Sequence, residues 1–253
     1  MDRQDQNAGI LGSLQNFVLR KGRRVWPLTV TAKDKITPRM TRVTFSGSDL
    51  NELIWTRGQD VVLEIPTQDG ISRRHYTIRA HDAVAKTLSI DFVLHGEGAS
   101  GPWLDALKPG DVVNAVGPRG HTYVRDADWH LFVGDETCIP GIFAMIEGLP
   151  AGAQAFAVLE IGGAEDVLRA DAKADVSYMW VSRDGAPPGP GMLLDAALEE
   201  FAFPQGEGFA YVIGETSNVR RIRHRLLDRG FSRDRIAAEG YWRPGRVGGH
   251  DHV

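Results

Sequence analysis

The sequence predicts an N-terminal antiparallel β-barrel followed by a C-terminal open parallel α/β sheet. Three observations carry this. Residues 25–117 break into short runs of β-forming residues separated by Gly, Pro, Asp and Asn, which suits a small barrel. From about residue 129 the rhythm becomes strand, helix, strand, helix, the pattern of a parallel sheet with crossover helices. The chain has 253 residues, enough for one large or two modest domains.

Residues 1–20 carry Ile10, Leu11, Leu14, Phe17 and Val18 at helical spacing, followed by "RKGRR". This reads as a docking helix with a solvated basic end. The barrel runs are "MTRVTF" (40–45), "DVVLEI" (60–65), "RHYTIR" (74–79), "TLSIDFVLH" (87–95) and "DVVNAV" (111–116). In 87–95, Leu88, Ile90, Phe92 and Leu94 face one way, and Ser89, Asp91, Val93 and His95 the other.

In the second half "HLFVGD" (130–135) precedes a helical pattern over about 138–148. "AQAFAVLEI" (153–161) leads to a short helix near 164–170, and "VSYMWVS" (176–182) leads to "GMLLDAALEEF" (191–201). "FAYVIGE" (209–215) leads to "SNVRRIRHRLLDRG" (217–230), and a last strand runs near 235–242. Ligands of such a sheet bind beyond the carboxyl ends of its strands. Those ends are "GDET", "EIGG", "SRDG" and "GETS", so the expected site is the groove between them and the barrel. The expected divisions are an extension over 1–23, the barrel over 24–124, the α/β domain over 125–246 and a tail over 247–253.

The formal net charge of −4 argues against a nucleic-acid binder with a broad basic surface. No apolar run is long enough to span a bilayer, and the N-terminus lacks a signal-peptide pattern, so a cytoplasmic protein without stable membrane association is expected. One cysteine, Cys138, excludes an internal disulfide and a four-cysteine iron–sulfur or zinc site. Its place just inside a helix suits a buried packing residue. Any redox chemistry then calls for an organic cofactor, or for a metal brought by the substrate.

Two segments carry chemistry. "HGEGASGPW" (95–103) follows a strand, is rich in glycine and has Pro102 suited to a first helical position. It reads either as an anion cradle of backbone N–H groups or as an ordinary loop. In "RHYT", Arg74 and Tyr76 share a face, while Arg73, His75 and Thr77 point the other way. Alone this is a strand with a basic face. Beside the cradle, an arginine for phosphate and a tyrosine for a planar ring suit a flavin dinucleotide.

The chain resembles the siderophore-interacting proteins, ferric-siderophore reductases of the ferredoxin-reductase superfamily. "RHYTIR" is similar to the superfamily's R-x-Y-[ST] flavin motif, and "DFVLHGEGASGPW" to the family's second flavin segment. "VGPRG", "GDETCIPGI", "GETSNVRRIRHRLLDRG" and "GYWRPGR" follow in the family's order, over about residues 24–246. The resemblance implies FAD held by Arg74, Tyr76, Thr77, Asp91, Val93, His95, Ala99, Ser100, Gly101 and Trp103. It places Asp135, Glu136 and Thr137 where nicotinamide approaches, with Thr137 near hydride transfer, and Glu215 in the segment where other branches carry a cysteine.

The implied activity is passage of electrons from NAD(P)H through FAD to a ferric siderophore, with Fe(II) released and no protein ligand to iron. Ser182 and Arg183, read as following a central strand, suit a 2′-phosphate and NADPH. Glu160 suits ribose hydroxyls and NADH, and of the two NADPH is the expected donor. Arg39, Arg42 and Arg57, with Arg243 and Arg246, form the expected basic rim for an anionic siderophore. Tyr241 and Trp242 either cover the flavin or anchor the tail. A monomer is expected. The alternatives are a flavoprotein reductase with another acceptor (free flavin, quinone or redox protein) and a non-enzymatic siderophore-binding module.

Overall fold

The structure, a computed structural model, describes residues 24–93, 100–246 and 251–252. The helix expected within 1–20, His95, Ala99 and most of the tail lie outside these residues.

The N-terminal sheet has seven antiparallel strands in the order β4-β3-β7-β1-β2-β6-β5. They are β1 (Val25–Thr37), β2 (Met40–Ser46), β3 (Asp60–Thr67), β4 (Gly70–Thr77), β5 (Ala80–Asp82), β6 (Thr87–Val93) and β7 (Val112–Arg119). The sheet curls into a half-barrel around Leu28, Val43, Phe45, Leu63, Ile65, Ile78 and Ile90, all fully buried. A short helix, α1 (Ser100–Ala106), covers this core with Leu104.

The sequence reading missed β1. Pro27 and the run Lys33–Asp34–Lys35 obscure an alternation in which Trp26, Leu28 and Val30 are buried. Pro27 is tolerated beside Asn114 at the start of the strand.

The second sheet has the order β10-β9-β8-β11-β12-β13. Its strands are β8 (Trp129–Asp135), β9 (Gln154–Ile161), β10 (Asp175–Ser182), β11 (Gly208–Glu215), β12 (Ile236–Trp242) and β13 (Asp251–His252). The first five are parallel, and β13 pairs antiparallel with β12. The buried helix α2 (Ile139–Ile146) packs with one apolar cluster of this sheet, and α3 (Leu193–Glu199) and α4 (Thr216–Asp228) with another.

Helix α4 is amphipathic for a plain reason. Val219, Ile222 and Leu226 recur at helical spacing and are buried, while its arginines face outward or sideways. Glu215 caps it, accepting from the Asn218 amide at 2.9 Å. Asp195 on α3 ties the two helices together, accepting from Arg221 at 2.8 Å.

The short helix expected near 164–170 is only a 3-10 turn, Ala164–Asp166, followed by extended chain. There the Ala170 amide donates to the Tyr178 hydroxyl instead of to a helical carbonyl. Strand β10 is the edge of the sheet, not a central strand.

Candidate functional site

The site grows from a corner of the half-barrel. Strand β4 pairs with β3 as far as Thr77, opposite Asp60. The Ile78 amide still donates to Gln59 beside β3, but the next amide, Arg79, donates to Ser89 on β6, at 3.0 and 2.9 Å. The chain thus changes neighbours within two residues. A bent strand relaxes the strict alternation of faces, and His75, Tyr76 and Thr77 all line one cleft. The cleft encloses about 490 Å³, part of it open to solvent, and its other walls are Asp91, Val93, Thr137, Pro140, Tyr241 and Trp242. Both sheets therefore contribute to it.

Tyr76 joins this cleft to a second group of expected residues. Its ring centroid is 4.4 Å from that of Phe92, which is 5.7 Å from Trp103. Burial pushes the Tyr76 phenol above its ordinary pKa, opposed by a hydrogen bond with Ser100 and by the nearby charge of Arg74. Arg74, Tyr76, Ser100 and Trp103 are thereby neighbours. Gly101, in the first turn of α1, has open space where a side chain would begin.

Asp135 ends β8 and Glu215 ends β11, at the centre of the sheet where strand order reverses. Asp135 is buried. Its Oδ1 accepts from the Thr137 amide at 2.9 Å and from the Thr137 hydroxyl. Its Oδ2 accepts from the Glu215 amide at 2.7 Å and Trp242 Nε1 at 3.0 Å. Burial pushes its pKa up, while the donors from Thr137 and Trp242 oppose this.

Gly214 makes the close approach possible. Its φ is +140°, and an added Cβ would stand 2.5 Å from Asp135 Oδ2. Asp135 does not line the cleft. It holds Thr137 and Trp242, which do. Glu215 is also buried behind the wall, as the cap of α4.

Ser182 and Arg183, expected to take a 2′-phosphate, have partners within the chain. Arg183 is buried and bidentate to Glu136, at 2.6 and 2.5 Å, and also donates to Glu160 at 3.1 Å and the Ala186 carbonyl at 3.2 Å. A buried carboxylate needs such a partner. Burial pushes Glu160 above the usual carboxylate range, and the two carboxylates hold Arg183 protonated. The Ser182 hydroxyl donates to Asp184 at 2.8 Å.

Among the rim arginines, Arg39, Arg42 and Arg57 are likewise engaged. Arg42 is bidentate to Asp91, at 2.6 and 2.8 Å. Arg39 reaches Glu165 and Asp166. Arg57 donates to the Ala144 carbonyl at 3.3 Å, at the carboxyl end of α2, where its charge suits the helix dipole. Arg39 and Arg42 hold carboxylates, and Arg39 and Arg57 reach across to the second half of the chain. Arg243 and Arg246 lie exposed in the turn directly after Trp242.

Other side chains around the site are engaged as well, and Arg79 among them was not legible in the sequence. Arg79 is bidentate to Glu147 at 2.6 and 2.5 Å and lies 3.5 Å from Asp91, tying the corner to the end of α2. Arg73 pairs with the buried carboxylate Glu64, and His75 Nδ1 shares a hydrogen bond with buried Asp60. The available signal was register: Asp60 and Glu64 on β3 lie opposite Thr77 and Arg73 of the same hairpin. The Tyr241 hydroxyl shares a hydrogen bond with Thr77, and burial pushes its pKa well above normal. Cys138 is buried, its thiol donating to the Asp135 carbonyl at 2.9 Å and pushed well up in pKa by burial.

Residues 58–122 match the siderophore-interacting FAD-binding domain, and residues 127–245 match the siderophore-interacting protein family. The ferric vibriobactin reductase of Vibrio cholerae is 30% identical, over 88% of this chain and 92% of that protein. The NADPH-dependent ferric-chelate reductase of Escherichia coli is 25% identical, over 88% and 95%. The crystal structure of a siderophore utilization protein from T. fusca superposes with a TM-score of 0.83 at 35% identity, over 89% of this chain and 95% of that one. The half-barrel and the parallel sheet each carry their matching segment in order, and the chain belongs to the siderophore-interacting protein family.

Proposed function

We propose that the chain is an FAD-dependent reductase that passes electrons from NAD(P)H to a ferric siderophore and releases Fe(II) in the cytoplasm, where the donor is available. One observation carries this reading. A single cleft is lined by Tyr76 and Thr77 from the FAD-domain segment and by Thr137, Tyr241 and Trp242 from the second.

The residues fit a flavin. Aromatic rings, threonine hydroxyls and a partly exposed arginine beside Tyr76 are the chemistry a planar ring and a phosphate require. Bound there, FAD would accept a hydride and return single electrons. Tyr76, fixed by Phe92 and Ser100, would support the ring. Thr77 and Thr137 would offer hydroxyls at its edge. Arg74 would pair with phosphate, and Trp242, anchored on Asp135, would exclude water from the donor side. Glu136 and Glu160 with Arg183 would support that wall from beneath.

The test is direct. The purified protein is loaded with FAD and mixed anaerobically with NADH or NADPH, a ferric hydroxamate or catecholate siderophore and a ferrous chelator. Formation of the ferrous complex above background is expected. Its absence with the flavin still reduced would leave a reductase of another acceptor, and a chain that binds no FAD would remove the flavoenzyme reading. With Arg183 held by two carboxylates, comparable turnover with both donors is the expected outcome. A strong NADPH preference would show that a phosphate finds another cation.

Arg74→Ala is expected to weaken FAD retention by roughly 10- to 100-fold, the value of a charge-assisted hydrogen bond. Equal retention would defeat this account of the segment. Arg243→Ala combined with Arg246→Ala is expected to lower kcat/KM for an anionic siderophore several-fold at low salt. The difference should close as salt screens the charges. A deficit independent of salt would argue against steering.

A further inference from the structure

His75 occupies the variable position of "RHYT". Its Nδ1 is bonded to Asp60 Oδ2, with the two side chains only 16% and 7% exposed. Asp60 Oδ1 lies 3.9 Å from Arg119 Nε on β7. A carboxylate on one ring nitrogen fixes the orientation of an imidazole. His75 is also one of the residues lining the cleft.

The proposed reaction creates a proton inside that cleft. One hydride from the nicotinamide carries two electrons and one proton. Two ferric ions take one electron each. The balance is NAD(P)H + 2 Fe³⁺ → NAD(P)⁺ + 2 Fe²⁺ + H⁺. The proton has to leave the neighbourhood of the ring each time two electrons depart.

The other titratable groups at the cleft are poorly suited to receive it. On β6, Asp91 already has both oxygens on Arg42, with Arg79 at 3.5 Å. On β4 and β12, the phenols of Tyr76 and Tyr241 are both pushed up by burial and hold their own protons. Glu239, whose charge is felt at Tyr241, accepts from the Thr122 hydroxyl at 2.7 Å. Behind the wall, Asp135 accepts donors on both oxygens. Thr77, Thr137, Pro140 and Trp242 offer no base. Imidazole is the side chain that exchanges protons near neutrality.

We propose that His75, oriented by Asp60, accepts the proton released when the reduced flavin gives up its electrons. The inference rests on the reductase reading above.

The experiment follows reoxidation of the NADH-reduced holoprotein by ferric citrate, with ferrozine trapping Fe(II), for the parent, His75→Asn and Asp60→Asn. FAD dissociation constants are measured in parallel by flavin fluorescence. The parent rate is expected to depend on pH. His75→Asn is expected to slow reoxidation at least about tenfold, with a flattened pH profile and recovery in added imidazole. Asp60→Asn is expected to fall between the two. FAD affinity is expected to stay within about threefold of the parent.

Reoxidation of His75→Asn within twofold of the parent and with the same pH profile would overturn the inference. So would a large loss of FAD affinity without imidazole rescue, since that is what a purely structural His75 would give. If the parent yields no Fe(II) from ferric citrate or from the ferric siderophores above, the reductase reading falls and this inference with it. If the parent yields Fe(II) and the variant does so equally, only the inference falls.

Discussion

Gly134→Ala is expected to abolish folding or cost more than about 4 kcal/mol, lowering the melting temperature by roughly 8 °C or more. Gly134 lies on β8, opposite Ile213 of β11, in the middle of the parallel sheet. An added Cβ would sit on the Ile213 carbonyl oxygen and against Cys138 Sγ. A flexible side chain can move aside, but a backbone oxygen within a central ladder cannot move without breaking it. The displacement would also shift Asp135, the next residue, and through it Thr137 and Trp242. Gly101→Ala is the control. Its Cβ meets open space in the first turn of α1, so replacement is expected to be neutral or to stabilise by about 0.5–1 kcal/mol. Thermal melts of the two variants against the parent test the contrast. A Gly134→Ala protein that melts with the parent would contradict the packing described here.

Arg183→Ala is expected to cost about 3–5 kcal/mol, because it leaves two buried carboxylates without their cation. Glu136 and Glu160 have side chains only 6% and 4% exposed, and Arg183 neutralises both. The deficit should depend on pH. Burial already raises Glu160 in the parent, and removal of the guanidinium would raise it further. A carboxyl whose folded pKa lies above its unfolded value binds more protons in the folded state. Its contribution is therefore present at low pH and lost as pH rises through the folded value. The variant should be closest to the parent near pH 5 and furthest from it near pH 8. Denaturant titrations at the two pH values measure this, and a deficit that grows on acidification would contradict it. Arg183→Lys keeps the charge but not the bidentate geometry and should fall between.

Much of the fold was legible because its signals are local. The alternation of Leu88, Ile90 and Phe92 marked β6, and the segment 217–230 after a strand marked α4. Strand β1 was missed because a proline and a charged run interrupt a real alternation. The turn at 164–166 was read as a helix because short polar segments carry little periodic information. In the candidate site, Tyr76, Thr77, Thr137 and Trp242 were named from sequence and meet at one cleft.

What the sequence determined by itself is the order of the two sheets and the segments that meet between them. Hydrophobic period, turn residues and motif spacing are properties of neighbouring positions. What only the tertiary structure decided is which charged side chains are already engaged. Arg42 finds Asp91 49 residues away, Arg183 finds Glu136 at 47 and Arg79 finds Glu147 at 68. A buried charge is stable only with a partner, and that partner is chosen by packing rather than by proximity in the chain. The same geometry bent "RHYT" at a barrel corner and brought His75 to the cleft beside Tyr76, where a straight strand would have turned it away.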